Sequence, residues 1–192
     1  LAAFPVVLMG WASCSHSGTG HAALPDPRAV DKSVPEYKNP FHPSTYAHFV
    51  ARKDYRKTYD VYKDDTLLNR QPKKSRKIFV CLDEQRGQYL VDGLVAMDFP
   101  LSSGVKAYPT KTADYAVISK KEDHASNLYG KMYDAEGKCI NYNAESTDPI
   151  PEGGRFDGSP MPYWQRLTNA GLGLHVGKVR RHPVSHGCVR LP

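Results

Sequence analysis

The sequence has few long apolar runs at helical spacing, and only 4 of its 192 residues are cysteines. The scarcity of amphipathic stretches favours β structure over long helices. Neither a zinc-finger spacing nor an aromatic and basic RNA-binding signature is present. The sequence therefore gives no support for nucleic acid as a partner. Residues 1–13 are apolar, but they are too short to span a bilayer.

The composition favours one β-rich domain with many turns and an added tail, since there are 15 prolines, 12 tyrosines and 40% hydrophobic residues. The formal net charge is +6 and the sequence pI is near 9.1. Ten basic and four acidic residues lie between Arg52 and Lys77, an excess equal to that of the whole chain. We interpret this segment as a solvated positive face, with contact to an anionic envelope surface as the alternative.

Residues 1–14 are expected to form an export signal. The first 13 residues carry no charge, and Ala12-Ser13-Cys14 resembles the end of a bacterial lipobox, in which Cys14 is lipidated after cleavage. Trp11 departs from the Leu-like residue that is usual there. An ordinary cleaved signal and a buried apolar strand are the alternatives. Because the sequence lacks an initiator Met and ends soon after Cys188, we also expect a fragment at both ends.

Residues 15–76 are expected to form a Pro-rich tether followed by a short helical extension. Residues 15–43 mix Ser, Gly, His and Pro without apolar periodicity. Ser44 is then predicted to cap a short helix with Tyr46, Phe49 and Val50 on one face.

Strand character begins at Lys77. Residues 77–82, 88–91 and 94–99 are short apolar runs, and the tight-turn dipeptide Asp92-Gly93 joins the last two. Further strands are predicted at residues 115–118 and on the segment that leads from Tyr163 to His175. Residues 141–160 are polar with three prolines, which predicts a long loop.

The last 18 residues, HVGKVRRHPVSHGCVRLP, contain three histidines, four arginines or lysines, one cysteine and no acid. A thiol is a strong nucleophile as the thiolate, which nearby positive charge and a histidine favour. Gly187 precedes Cys188, where backbone N–H groups can turn toward an oxyanion. We therefore predict Cys188 as the nucleophile of an acyl transfer. From the residues alone, His175, His182 and His186 are equally eligible as its base.

A metal site is the rival use of these three histidines and Cys188. Only Gly187 separates His186 from Cys188, and the other spacings match no common zinc pattern, so we predict no metal. Cys81 and Cys139 would be able to form a disulfide in an oxidising compartment, which the sequence leaves open.

His175, a nine-residue loop and the run Ser185-His186-Gly187-Cys188-Val189-Arg190 resemble the signature of the L,D-transpeptidase catalytic domain, the YkuD family. The loop is shorter than in many members, and Arg190 stands where many carry Asn. Residues 100–104 (PLSSG) match a characteristic turn of the family, and residues 126–130 (SNLYG) look like family sequence beside the site. Within residues 108–115, Thr110 and Tyr115 match the family pattern, whereas Lys111 and Ala113 replace its Pro and Gly.

This resemblance covers residues 77–192 and implies a mainly β fold, a small β-sandwich or mixed sheet of the L,D-transpeptidase type with short helices, here truncated at its C-terminus. It implies Cys188 as nucleophile and His175 as general acid/base, oriented by the backbone carbonyl of Val176. Four further residues are expected to support the site: Ser185, His186, Gly187 and Arg190. Three aromatic residues are predicted to contact substrate, with core packing as the alternative: Tyr129, Tyr163 and Trp164.

The implied function is acyl transfer on peptidoglycan tetrapeptide stems, which forms cross-links or attaches a partner without a metal or organic cofactor. The alternatives are L,D-carboxypeptidase trimming of the stems and a non-catalytic protein that binds the cell wall. We expect a monomer in the bacterial cell envelope, on the periplasmic side, with a possible membrane tether through lipidated Cys14.

Overall fold

The computed structural model describes residues 5–9, by their backbone alone, and residues 26–72 and 75–192. Short strands dominate, which confirms the predicted mainly β fold. In chain order the elements are β1 (Pro5–Met9), α1 (Tyr46–Ala51), β2 (Tyr62–Lys63), α2 (Asp65–Leu68), β3 (Arg76–Cys81), β4 (Arg86–Val91), β5 (Leu94–Pro100), β6 (Ala113–Ala116), β7 (Ser119–Lys121), β8 (Ala125–Tyr133), β9 (Cys139–Glu145), β10 (Arg155–Pro160), β11 (Trp164–Arg166), β12 (Gly173–Val176) and β13 (Val189–Leu191).

The strands form three sheets. Six strands follow the order β2-β5-β4-β3-β1-β6, four follow the order β13-β12-β11-β7, and three follow the order β10-β8-β9. Most neighbouring strands are antiparallel, but β12 runs parallel to β13 and β1 runs parallel to β3. The predicted hairpin is present, because Asp92 (φ 52°) and Gly93 (φ 86°) form the two-residue turn between β4 and β5.

The main hydrophobic core brings together side chains from the six-stranded and four-stranded sheets and their connections. Its fully buried members include Val80 on β3, Leu174 on β12 and Val189 on β13. Two backbone bonds between Ser102 and Arg190 also join the segment after β5 to β13. The strand that follows Cys188 is therefore held by the core and by backbone pairing.

Residues 5–9 lie between β3 and β6, with Val6 opposite Ile78 and Tyr115. This placement corresponds to the apolar strand that the sequence analysis kept as an alternative to an export signal. The possible lipidation site, Cys14, lies outside the described residues. In the part of the chain that is described, no helix has the length and apolarity needed to cross a membrane.

The extension formed by residues 26–72 packs against the six-stranded sheet. Its helix α1 begins after Thr45, one residue later than predicted, because the Thr45 hydroxyl accepts a hydrogen bond from the backbone N–H of His48. Phe49, Val50 and Tyr55 form a buried cluster. From residue 26 onward the chain also contributes polar anchors, such as the ion pair between Arg28 and Glu84 (3.0 Å).

A buried ion pair links this extension to the sheet. Arg86 donates to Asp98 over 2.6 Å, and both side chains are almost fully buried. The same carboxylate accepts hydrogen bonds from the hydroxyls of Tyr46 and Tyr55. The guanidinium of Arg86 also donates to the backbone carbonyl of Thr58. The extension thus supplies the partners that a buried charge pair requires.

The polar segment 141–160 is not one long loop, contrary to our prediction. Its two ends form β9 and β10, which flank β8 in the three-stranded sheet. Most residues of β9 and β10 are exposed or half-buried. Because little of this sheet is buried, its strands lack the alternating apolar pattern by which a strand is identified in sequence.

The structure also decides the question about the cysteines. Cys139 is free, so Cys81 and Cys139 are not paired with each other. Cys188 is free as well, as a nucleophile must be.

Candidate active site

The alternation of side chains along β12 and β13 separates the core from the site. Leu174 lies opposite Val189, and both side chains are fully buried in the core. The next pair in register is His175 and Arg190, which lie on the other face of the sheet because successive residues of a strand point in opposite directions. Cys188, two residues before Arg190, immediately precedes β13.

His175 is held in the orientation expected of a general base. Its ring is 6% exposed, and Nδ1 lies 2.9 Å from the backbone oxygen of Val176. Since a carbonyl can only accept a hydrogen bond, Nδ1 carries the proton and Nε2 is free to accept one. Burial lowers the pKa of His175, partly offset by the bond to Val176, and the nearby Arg190 and His124 lower it further. The imidazole is therefore neutral at pH 7.

Cys188 is half-buried, and its Sγ lies 3.5 Å from the backbone oxygen of Gly171. Burial raises the pKa of the thiol above its ordinary value, while the backbone N–H of Gly173 and the charge of Arg190 act in the opposite direction. The basic surroundings therefore do not by themselves make a thiolate, because desolvation has the larger effect. When a neutral thiol and a neutral imidazole line one cavity, the imidazole must take the proton for the thiol to react as a thiolate.

The turn before Cys188 is fixed by Ser185 and Gly187. The Ser185 hydroxyl donates to the backbone oxygen of Cys188 and accepts from the N–H of Gly187. The backbone N–H of Ser185 donates to the oxygen of Ser103 over 3.1 Å. Gly187 has φ 113°, a conformation that side chains disfavour. Both residues therefore shape the turn before Cys188.

Thr110 and Gly104 brace the same turn, a role that the sequence analysis did not assign. The Thr110 hydroxyl donates to the backbone oxygen of Gly187 (2.6 Å) and accepts from the N–H of Gly104 (2.8 Å). A Cβ on Gly104 would lie 2.8 Å from the Cα of Gly187. The signal was available in the family resemblance, since Gly104 ends the PLSSG turn and Thr110 matches the family pattern.

His186 makes aromatic contacts. Its ring stacks on Tyr129 with centroids 4.1 Å apart and an interplanar angle of 14°, and it meets Tyr108 at 4.8 Å. Tyr129 belongs to β8 of the three-stranded sheet. His186 therefore connects the turn before Cys188 to that sheet. His182, which lies farther from Cys188 in the sequence than His186 does, is exposed.

The two remaining predicted substrate contacts lie in different surroundings. Trp164 is 2% exposed, and its ring lies between His124 (5.0 Å between centroids) and His175 (6.4 Å). Tyr163 is 63% exposed. The side chain of Trp164 faces a cavity of about 670 Å³, and Tyr163 is not among the residues that line it.

This cavity brings together most of the predicted site. Its walls come from β8, from the segment around residues 159–166, and from the ends of β12 and β13. The predicted site residues that line it are Tyr129, Trp164, His175, His186, Cys188 and Arg190. Among the described residues no three His, Cys, Asp or Glu side chains are grouped so as to hold a metal ion. The geometry suits a thiol and an imidazole that act on a substrate bound in the cavity.

Comparison with known proteins gives one family match and several partial structural likenesses. The family model described as "L,D-transpeptidase catalytic domain" matches residues 75–192. No curated protein matches the chain significantly. Three L,D-transpeptidase structures resemble it: one from Stackebrandtia nassauensis (23% identity, 64% of this chain and 47% of that chain, TM-score 0.42), the catalytic domain from Enterococcus faecium (27%, 62% and 82%, 0.42) and one from Mycobacterium smegmatis (20%, 59% and 51%, 0.41).

The chain spans less than half the length of the Stackebrandtia protein. The structural similarity is partial in every case, so the assignment depends on the family model, which covers more than half of this chain. The chain belongs to the L,D-transpeptidase catalytic domain family, YkuD.

Proposed function

We propose that this protein is a peptidoglycan L,D-transpeptidase in which Cys188 is the nucleophile and His175 the general acid/base. The observation that carries the proposal is the bond between Nδ1 of His175 and the backbone oxygen of Val176. That bond leaves Nε2 as the proton acceptor, and both His175 and Cys188 line one cavity.

The first half of the reaction forms an acyl-enzyme. Nε2 of His175 takes the thiol proton while Sγ of Cys188 attacks the carbonyl carbon between the third residue of a tetrapeptide stem and its terminal D-alanine. The resulting oxyanion is met by backbone N–H groups of the turn around Gly187. When the C–N bond breaks, the imidazolium returns its proton to the leaving amine. D-alanine departs and a thioester on Cys188 remains.

The second half resolves the thioester. An amine of a second stem or of an attached partner attacks the thioester carbonyl, and His175 accepts its proton. Collapse of the intermediate expels the thiolate, which recovers the proton from the imidazolium. Water in place of the amine gives L,D-carboxypeptidase trimming by the same residues. Desolvation, which raises the pKa of Cys188 and lowers that of His175, keeps the resting pair neutral and ready for this exchange.

Acylation by ertapenem tests the enzyme assignment, since the E. faecium catalytic domain is described as acylated by this compound. We expect one adduct by intact mass, located on Cys188 by peptide mapping. Cys139 is the internal control because it is a second free cysteine, and Cys139→Ser should still form the adduct. Cys188→Ala should neither react nor release D-alanine from tetrapeptide stems. A folded protein that forms no adduct and leaves muropeptides unchanged would instead be a wall-binding protein.

We also propose a periplasmic monomer tethered to the membrane through lipidated Cys14. The support is the sequence of residues 1–14 and the envelope location of the proposed substrate. Intact mass of the protein from a bacterial membrane fraction tests this: lipidation predicts a chain that begins at a diacylated Cys14. Retention of residues 1–13 would contradict it and would agree with their use as β1. Light scattering measures the oligomeric state.

A further inference from the structure

The cavity around His175 and Cys188 has an uneven charge. No aspartate or glutamate lines it, whereas three arginines or lysines do: Arg166, Lys178 and Arg190. Several arginines elsewhere on the molecule have carboxylate partners, as Arg86 has Asp98 and Arg28 has Glu84. Among the described residues, no side-chain hydrogen bond or ion pair is formed by Arg166, Lys178 or Arg190. These cations are therefore available to a ligand.

The pairing of the strands explains why the cations share one face. Arg166 on β11 lies opposite Gly173 on β12, and Arg190 on β13 lies opposite His175. Positions 173 and 175 point to the same side of β12, so both arginines extend from the face that carries the general base. Strand spacing puts their Cα atoms about 12 Å apart. Lys178 lies two residues after the end of β12, on the side where His175 pairs with Arg190.

Positive charges at the cavity act on two of its histidines. Lys121 and Arg166 lower the pKa of His124 in addition to the effect of burial, and Arg190 lowers the pKa of His175. Like charges that line one cavity repel one another, and a bound anion would offset this repulsion. A peptide with carboxylates at two points along its length would meet a cation near each end of the cavity.

We propose that this cavity selects acyl-donor stems whose side-chain carboxylates are free, and discriminates against stems in which they are amidated. The inference rests on the proposed function, because it concerns the donor of that reaction. Arg166 and Lys178 are the specificity-determining residues. Arginine can bind a carboxylate through two parallel N–H groups, and lysine acts as a point charge. Arg190 is shared with the reacting centre, where it also acts on the thiol.

The test uses two tetrapeptide stems that differ only in amidation of their side-chain carboxylates, with D-alanine release as the readout. The unmodified protein is expected to have a kcat/KM about tenfold higher for the free-acid donor, mainly through KM. Arg166→Gln and Lys178→Gln should each narrow this ratio about three- to fivefold by weakening the free-acid donor alone. Lys138→Gln removes the same charge from an exposed turn and is the matched control, with an unchanged ratio. Raising the salt concentration should narrow the ratio for the unmodified protein, a measurement that needs no variant.

Equal kcat/KM for the two donors in the unmodified protein, at low and high salt, would overturn this inference and leave the proposed function intact. The inference would also be overturned if Arg166→Gln and Lys178→Gln both kept the kcat/KM ratio of the unmodified protein for the two donors. Release of D-alanine from neither donor would overturn the proposed function itself, and the inference with it.

Discussion

Arg181 is expected to couple the N-terminal extension to the active site, and replacing it with alanine should weaken both stability and catalysis. Its guanidinium donates to four backbone oxygens, three in the turn after α1 and one before β4: Tyr55, Arg56, Thr58 and Glu84. Arg181 lies in the loop between His175 and Ser185. The same loop is held by the Tyr59 hydroxyl, which donates to the oxygen of Arg180.

The magnitude follows from the number of bonds and their exposure. A buried hydrogen bond to a charged group contributes about 1.5–3 kcal/mol. Arg181 is half-buried, and water can replace part of what is lost, so we expect a total loss of about 2–4 kcal/mol in the free energy of unfolding. Arg181 also has φ 56°, where glycine is unstrained. Arg181→Gly should therefore be about 1 kcal/mol more stable than Arg181→Ala, although both lose the guanidinium.

Urea unfolding of these two variants measures the free energy of unfolding. The second-order rate constant of acylation by ertapenem measures the reactivity of Cys188. Since 1 kcal/mol corresponds to roughly 2–4 °C for a domain of this size, Arg181→Ala should lower Tm by roughly 5–15 °C. We expect acylation about five- to twentyfold slower at a temperature where the variant is folded, because a 1 Å shift of a reacting group has effects of this order or larger. Arg180→Ala is the control, since its contacts to Ser102 and Tyr59 use backbone atoms alone. A stability within about 0.5 kcal/mol of this control would refute the proposed coupling.

Three further predictions address the turn, the ion pair and the base. Gly104→Ala places a Cβ 2.8 Å from the Cα of Gly187, so we expect acylation to slow by about a hundredfold or more, measured by stopped flow against the unmodified protein. Asp98→Asn leaves the buried guanidinium of Arg86 without its counter-charge and should lower the free energy of unfolding by about 3–5 kcal/mol; a loss below 1 kcal/mol would contradict the network described above. The acid limb of the pH profile of kcat/KM should have its midpoint below 6.5, because burial lowers the pKa of His175 and the neutral ring is the active form; a midpoint above 6.5 would contradict that role. The lowered pKa of His175 also means that the unfolded chain binds more protons than the folded protein as the pH falls through 6.5. The free energy of unfolding should therefore decrease below pH 6.5 because of His175.

Local patterns in the sequence were enough for the hairpin and the central strands. Asp92-Gly93 between two apolar runs allows few conformations other than the tight turn that the structure contains. The polar strands β9 and β10 were missed because most of their residues are exposed or half-buried. The contacts of the extension were missed for a related reason. Its anchors are isolated charged side chains and backbone oxygens, which have no periodicity.

The sequence by itself determined the family, since an upstream histidine and the run Ser-His-Gly-Cys match its signature, and the reacting groups that we propose follow from that match. Only the tertiary structure decided how those groups are held. The parallel pairing of β12 with β13 sets His175 beside Arg190 while the alternate residues enter the core. Burial, which depends on that packing, makes the resting pair a thiol and an imidazole despite the basic sequence around them. The charge content of a segment is visible in its sequence. The desolvation of a side chain and the direction in which it points are set only when distant segments pack together.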